Sequence, residues 1–218
     1  MKTIRSAIFL IAMVGMLCAW LSAQDDSDKK PVHSRSVTNA QMPPSPQPAP
    51  EMTKLIKAMA GNWIVSEKVA PSTMFPTGAT GKGTAKMWAG PGGLSLMESY
   101  HSSGAMGNNF SGFGTFWWDS KAQVYRGLWC DSMTPGGCDA NGTTKWDGET
   151  LVGMMESDAN GQKMVMKFTY TNWSPSSFVM DMTSGPDANS LKEFMTVTYT
   201  RAAGTGTPEM AKPAPQGQ

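Results

Sequence analysis

The sequence predicts an all-β protein, an antiparallel barrel of about ten strands with one short helix at its N-terminal end. Short stretches of alternating apolar and polar residues recur at regular spacing, and turns rich in Gly, Asp, Asn and Ser separate them. One helical pattern precedes these stretches and none interrupts them. The lack of helices between the strands argues against parallel βαβ units.

The predicted helix opens the folded part of the chain. Met52, Leu55, Ile56 and Met59 recur at helical spacing, and Gly61 follows as a stop signal. From there the pattern changes to the two-residue period of strands. The predicted strands are Trp63–Lys68, Gly81–Trp88, Leu94–His101, Phe110–Trp118, Gln123–Asp131, Asn141–Trp146, Thr150–Glu156, Gln162–Thr171, Ser177–Thr183 and Leu191–Arg201.

Alternation along the strands indicates which side chains face the barrel interior. In one strand Met164, Met166, Phe168 and Tyr170 share a face, as expected for a sheet with one buried and one solvated side. The same reasoning over the other strands predicts a set of interior residues that would line a binding site. They are Tyr100, Phe113, Tyr125, Trp129, Met164, Met166, Phe168, Phe178 and Met180.

The first 23 residues are predicted to be a secretory signal peptide. Lys2 and Arg5 precede an uncharged apolar run, and the small residues Ser22 and Ala23 follow it. This order is typical of a cleaved signal, and the run is too short to span a bilayer comfortably. We expect cleavage after Ala23 and export to the periplasm or the cell exterior. An uncleaved anchor and lipid attachment at Cys18 are the alternatives.

The two flanking segments differ in composition from the predicted barrel. Residues 24–50 combine charges with five prolines between Pro43 and Pro50, so they predict a disordered tether. Residues 202–218, rich in Gly, Pro, Thr and Ala, predict a disordered tail. The barrel domain is therefore assigned to residues 51–201, an ordinary size for one domain.

Charge excludes some classes of partner. The chain has 18 Lys and Arg against 17 Asp and Glu, and cleavage would remove the basic residues Lys2 and Arg5. A nearly neutral protein has no basic surface for nucleic acid or for an anionic membrane. The mature chain is predicted to be a monomer without a membrane span.

Two cysteines, Cys130 and Cys138, would remain after cleavage. The segment between them contains Pro135-Gly136-Gly137, which favours a chain reversal, so a disulfide is predicted for an oxidising compartment. Zinc binding is the rival interpretation. It is disfavoured because no histidine lies nearby.

The opening Gly61-Asn62-Trp63 resembles the Gly-x-Trp entry of the lipocalin and fatty-acid-binding barrels. In those calycin families the Trp closes one end of the barrel beneath an Arg from the last strand. The resemblance implies these structural roles for Trp63 and for Arg201, which ends the last predicted strand.

Residues from Met52 to Arg201 resemble more closely a bacterial family of domains of unknown function, among them exported ones, predicted to be lipocalin-like. The matching segments include Gly92-Gly93-Leu94, Gly112-Phe113-Gly114, Trp129-Cys130-Asp131-Ser132-Met133 and the closing Phe194–Tyr199. The cysteine pair departs from the family at large. The resemblance implies the fold and no particular activity.

No cofactor or metal site is predicted. Of the two histidines, His33 lies in the tether, and His101 lies at a strand end on the face opposite Tyr100, so neither suits a haem ligand. The sequence offers no Ser/His/Asp or Cys/His set and no phosphate-binding loop. These absences make an enzyme less expected than a binding protein.

Two acids keep an enzyme open as an alternative. Glu98 and Asp131 each share a predicted face with large aromatic residues, and buried carboxyl groups can act as general acids or bases. The plainer interpretation is that Asp131 caps the turn into the cysteine loop and that Glu98 pairs with a lysine.

The 19 methionines suggest the favoured function. Because Met side chains are flexible and polarizable, a cavity lined by them adapts to small lipophilic molecules. We therefore expect a barrel that binds a small apolar or amphipathic ligand in its interior. Three alternatives are Cu(I) bound by thioethers, a core simply filled by Met, and an interaction module that uses exposed aromatics such as one of Trp117 and Trp118.

Overall fold

A computed structural model of the protein describes residues 44–204, apart from residues 74, 106, 108, 135, 160 and 161. The predicted signal peptide lies outside the described residues, as do residues 24–43 of the tether and residues 205–218 of the tail. The described residues form one helix and ten strands, with one turn of 3-10 helix at Pro91–Gly93 between the second and third strands.

The bounds of the elements follow the sequence pattern closely. The helix α1 spans Pro50–Met59. The strands are β1 Gly61–Val69, β2 Ala79–Ala89, β3 Ser95–Ser103, β4 Phe110–Asp119, β5 Val124–Asp131, β6 Cys138–Asp147, β7 Thr150–Ala159, β8 Gln162–Thr171, β9 Ser177–Gly185 and β10 Lys192–Arg201.

The ten strands form a closed barrel in which every strand is antiparallel to its neighbour in the chain. The barrel closes where β10 returns to β1, with Trp63 opposite Arg201 in the register. The strand order closes on itself, although β6 and β7 pair only at Thr143–Asp147 and Thr150–Met154. The predicted all-β antiparallel barrel with one N-terminal helix is confirmed.

Helix α1 covers one end of this barrel. Its apolar stripe, Met52, Leu55, Ile56 and Met59, is buried in the core, and the helix packs near β2, β3 and β4. Pro50 occupies the first turn, where the missing amide donor costs nothing. The hydroxyl of Tyr125 donates a hydrogen bond to the carbonyl oxygen of Glu51 at 2.8 Å, which ties the helix to β5.

Trp63 lies at the centre of this closed end. Its side chain is 1 % exposed, and its indole Nε1 donates to the carbonyl oxygen of Met59 at 2.9 Å. The guanidinium carbon of Arg201 lies 4.3 Å from the indole ring centre. Gly61 needs to be glycine because a Cβ there would collide with the Arg201 guanidinium. This contact explains sterically why the Gly-x-Trp motif has glycine at its first position.

Strand β6 begins three residues earlier than the sequence predicts. Cys130 and Cys138 are directly opposite each other in the β5–β6 register and form a disulfide, so the pairing extends to Cys138. The predicted disulfide is confirmed. Among the described residues, no helix has the length and apolarity needed to cross a bilayer.

Candidate functional site

The half of the barrel away from α1 contains a cavity of about 330 Å³. Its walls come mainly from the ends of the strands opposite the Trp63 plug. Seven methionines line it: Met133, Met154, Met155, Met166, Met180, Met182 and Met195. Eight aromatic residues join them: Tyr100, Phe110, Phe116, Trp129, Phe168, Tyr170, Phe194 and Tyr199. The interior is therefore apolar and adaptable over most of its surface.

Five of the nine predicted lining residues border this cavity, namely Tyr100, Trp129, Met166, Phe168 and Met180. Tyr125 and Phe178 also face inward, but both are fully buried at the closed end and do not reach it. Phe178 packs edge-on against the Trp63 ring at 4.9 Å between centroids. Met164 is 38 % exposed and lies outside the cavity wall.

Phe113 faces outward, so its predicted interior position is wrong. Its side chain is 38 % exposed and packs near Trp88 on the outer surface, with 6.4 Å between ring centroids. The inner positions beside it belong to Gly112 and Gly114. A Cβ on Gly112 would overlap the Trp129 indole, and one on Gly114 would lie 3.1 Å from it. Strand β4 turns its glycines inward because Trp129 needs that space.

Hydrogen bonds fix Trp129 in this position. Its Nε1 donates to Oδ2 of Asp131 at 2.9 Å. Oδ1 of Asp131 accepts from the backbone amides of Met133 and Thr134, both at 2.7 Å, and Oδ2 also accepts from the Thr134 hydroxyl. Asp131 thus caps the disulfide-closed loop and orients one wall of the cavity.

The structure does not bring Glu98 and Asp131 face to face. Glu98 lies opposite Gly114 on β4, whereas Asp131 lies opposite Gly112, so a whole strand separates the two acids. With a strand spacing near 4.8 Å and a rise of about 3.4 Å per residue, two strands across and two residues along, their Cα atoms are roughly 12 Å apart. Both oxygens of Asp131 are already hydrogen-bonded. This geometry supports the capping role of Asp131 and no acid–base pair.

Glu67 is a buried acid that is not among the predicted site residues. Its side chain is buried, and Oε1 accepts a 2.6 Å hydrogen bond from the hydroxyl of Tyr100. Gly81 lies opposite it, where a Cβ would overlap the carboxylate. Simple alternation from Trp63 and Val65 along β1 would have placed Glu67 inside.

Glu98 has no such partner. It is 5 % exposed, and its Oε1 accepts no hydrogen bond from the described residues. Burial raises the pKa of this carboxyl to about 8, because the apolar surroundings disfavour the charged form. The pKa of Tyr100 is raised by burial and further by its hydrogen bond to Glu67 and the charge there. At neutral pH Glu98 is therefore mainly a neutral acid inside the cavity.

Replacing Gly112 by alanine should displace the Trp129 indole towards the cavity. The new methyl group would occupy the space of the indole ring. The ring can avoid this clash only by moving, which breaks its hydrogen bond to Asp131. We expect a loss of about 1–3 kcal/mol in the free energy of unfolding and a shift in tryptophan emission. The matched control is Gly136→Ala, since no atom lies within 4 Å of a Cβ at Gly136. Equal stability of the two variants would contradict the packing role.

Together the closed strand order, the helix over one end and the Trp63–Arg201 contact define a lipocalin-like β-barrel with an interior cavity. The chain belongs to the DUF1579 family of proteins of unknown function, whose model matches residues 47–201. No curated protein matches the sequence.

Solved structures share the barrel shape at low identity. The protein Rv2717c from M. tuberculosis is 12 % identical over 72 % of this chain and 99 % of its own, with a TM-score of 0.49. The S-type phycobiliprotein lyase CPES from Guillardia theta is 10 % identical over 69 % of this chain and 92 % of its own, also at 0.49. A fluorescence-activating β-barrel designed de novo is 14 % identical over 67 % of this chain and 96 % of its own, at 0.38.

Proposed function

We propose that this barrel binds a small apolar or amphipathic molecule in its interior. The observation that carries the proposal is the apolar cavity of about 330 Å³. Ligand pockets begin at about 300 Å³, so a small molecule is the appropriate size. A barrel serving only as an interaction module would need no such space.

The chemistry of the walls supports an apolar ligand body. Methionine side chains change rotamer readily and fill irregular gaps, so a wall built from seven of them adapts to several shapes. The rings of Trp129, Phe168 and Tyr170 supply flat surfaces on which an aromatic or aliphatic body can pack.

An interruption in the barrel wall supports access to the cavity. The β6–β7 ladder ends at the pair Thr143–Met154, although both strands continue beyond it. Asp139 and Gly142 on one side and Ser157 on the other line the cavity at this gap. Separated strands at that point would admit a ligand without unfolding the barrel.

We also propose that the protein acts after export, in the periplasm or outside the cell. The predicted signal peptide at residues 1–23 supports this, and the Cys130–Cys138 disulfide is consistent with an oxidising compartment.

Calorimetric titration with 1-naphthylmethanol tests the binding proposal. We expect one molecule to bind per barrel, and Met166→Trp to weaken binding about tenfold or more because an added indole occupies the ligand's space. The control is Lys167→Trp, the same substitution at the neighbouring position, whose side chain does not line the cavity. Binding that both variants weaken equally, or that neither weakens, contradicts an interior site. Extraction of the protein isolated from its own envelope would identify the natural ligand.

A further inference from the structure

We propose that the ligand carries a protonated amine, and that the carboxyl group of Glu98 and the aromatic rings around it hold this amine inside the cavity. The inference rests on the proposed function and adds the chemical class of the ligand.

The ionisable side chains that line the cavity are acids and tyrosines. Glu67 and Glu98 lie inside, and Asp131 and Asp139 are also part of the wall. No Lys, Arg or His of the described residues lines it. An anionic ligand would therefore be repelled and would find no cation to pair with. A purely apolar ligand would leave the Glu98 oxygen buried and unpaired, at a cost in free energy.

The surroundings of Glu98 combine a carboxyl group with aromatic rings, two kinds of group that attract a cation. Gly114 lies opposite Glu98 and has no side chain, and the indole of Trp129 fills the inner space beyond it. The ring of Tyr100 lies 6.3 Å from that of Trp129, at 70°. A cation between a carboxylate and aromatic faces gains both the ionic attraction and the attraction of the ring electrons.

The neighbouring polar groups leave Glu98 available. Oε1 of Glu67 accepts the hydrogen bond of the Tyr100 hydroxyl at 2.6 Å, whereas its buried Oε2 has no hydrogen-bond partner among the described residues. Tyr170 and Tyr199, from β8 and β10, lie near enough to Glu98 that its charge raises the pKa of each, in addition to the effect of burial. Of the two interior carboxyl groups, Glu98 is thus the one without a hydrogen-bond partner among the described residues.

Binding of an amine at Glu98 should release a proton. In the free protein the carboxyl group is mainly protonated at pH 7, since burial raises its pKa to about 8. A cation beside it favours the carboxylate. The ammonium ion keeps its own proton, and the proton of Glu98 passes to the solvent.

The test compares three ligands of one shape, 1-naphthylmethylamine, 1-naphthylmethanol and 1-naphthoic acid, by calorimetry at pH 7. We expect the amine to bind about tenfold or more tighter than the alcohol, and the acid to bind weakest. Glu98→Gln should remove the preference for the amine and leave binding of the alcohol. Glu156→Gln, at an exposed acid of β7, is the control and should keep the preference.

Titration in two buffers of different ionisation enthalpy counts the protons released. We expect nearly one proton per amine bound at pH 7, and an affinity that rises up to about tenfold per pH unit below pH 8. This measurement uses the wild-type protein, so it stands even if Glu98→Gln folds poorly.

Three results would overturn the inference: equal binding of amine and alcohol, an amine preference that survives Glu98→Gln, or no proton release. A neutral ligand that needs the protonated acid as a donor would instead bind more tightly at low pH. If neither the amine nor the alcohol binds, the proposed interior binding function is wrong as well. If the alcohol binds and the amine does not, only the inference of an amine ligand is wrong.

Discussion

The variant Glu98→Gln should unfold at a higher urea concentration than the wild-type protein at pH 8, and at nearly the same concentration near pH 4. The reason is that Glu98 is 5 % exposed and has an unpaired Oε1, so its ionisation is resisted in the folded state only. Glutamine has a similar shape and no charge to bury.

The direction follows from the protons bound by each state. The pKa of Glu98 rises from 4.5 to about 8 on folding. Between these values the folded state holds the proton that the unfolded state has lost, so stability falls as pH rises. The stability that protonated Glu98 contributes is complete below pH 4.5, falls between pH 4.5 and pH 8, and does not fall further above pH 8. At about 1.4 kcal/mol per pH unit, the wild type loses on the order of 5 kcal/mol across this range relative to the variant.

Urea unfolding of both proteins from pH 4 to pH 9 measures the difference directly. The other ionisable residues of this part of the cavity, Glu67, Tyr100, Tyr170 and Tyr199, are the same in both proteins. Burial raises the pKa of each of the three tyrosines above its ordinary value of 10, which lies outside this pH range. Glu156→Gln, on the exposed face of β7, should follow the wild-type curve. A difference between wild type and Glu98→Gln that does not change with pH would show that Glu98 is ionised in the folded protein.

The fold can be predicted from the sequence because each strand carries its own signal. Alternating apolar residues and short polar turns recur ten times, and an antiparallel barrel needs little else to define its neighbours. The closed end is also accessible to prediction, since Gly61, Trp63 and Arg201 stand at the two ends of the strand series. The sequence predicts strand β6 too short because the disulfide, rather than side-chain alternation, extends its pairing to Cys138.

The site is predictable only in part because alternation gives the face of a residue and not its depth. Tyr125 and Phe178 have the predicted inward face, yet they lie at the closed end. Depth along the barrel depends on strand tilt and stagger, which one strand's sequence does not contain. The prediction for Phe113 is wrong for another reason: it assigns a large side chain inward, although Trp129 needs the neighbouring glycines there.

For Glu67, alternation along β1 predicts that the side chain faces inward, but it does not predict which group the side chain contacts. Its hydrogen bond comes from Tyr100, 33 residues away on β3. The pairing of β1 with β2 and of β2 with β3 brings these side chains together and leaves Glu98 as the interior acid without a partner among the described residues. The volume of the cavity likewise depends on side chains from strands far apart in the chain.

Replacing Trp63 by alanine should cost about 3–5 kcal/mol of unfolding free energy, as is usual for a buried Trp or Phe. The variant loses the bond to the Met59 carbonyl and the contact with Arg201, and it leaves a void among Phe178 and Tyr199. Urea unfolding would measure the loss.

The neighbouring residue on β1 provides the control for Trp63. Ile64 faces outward and is 54 % exposed, so Ile64→Ala should change the unfolding free energy by only about 0.5 kcal/mol. Trp63 does not line the cavity, so the Trp63→Ala variant, at a temperature where it remains folded, should keep its affinity for 1-naphthylmethanol. Loss of stability without loss of affinity would separate the closed end, which holds the barrel together, from the half that contains the cavity. A similar loss in the two alanine variants would mean that the Trp63 plug contributes no more than an exposed position.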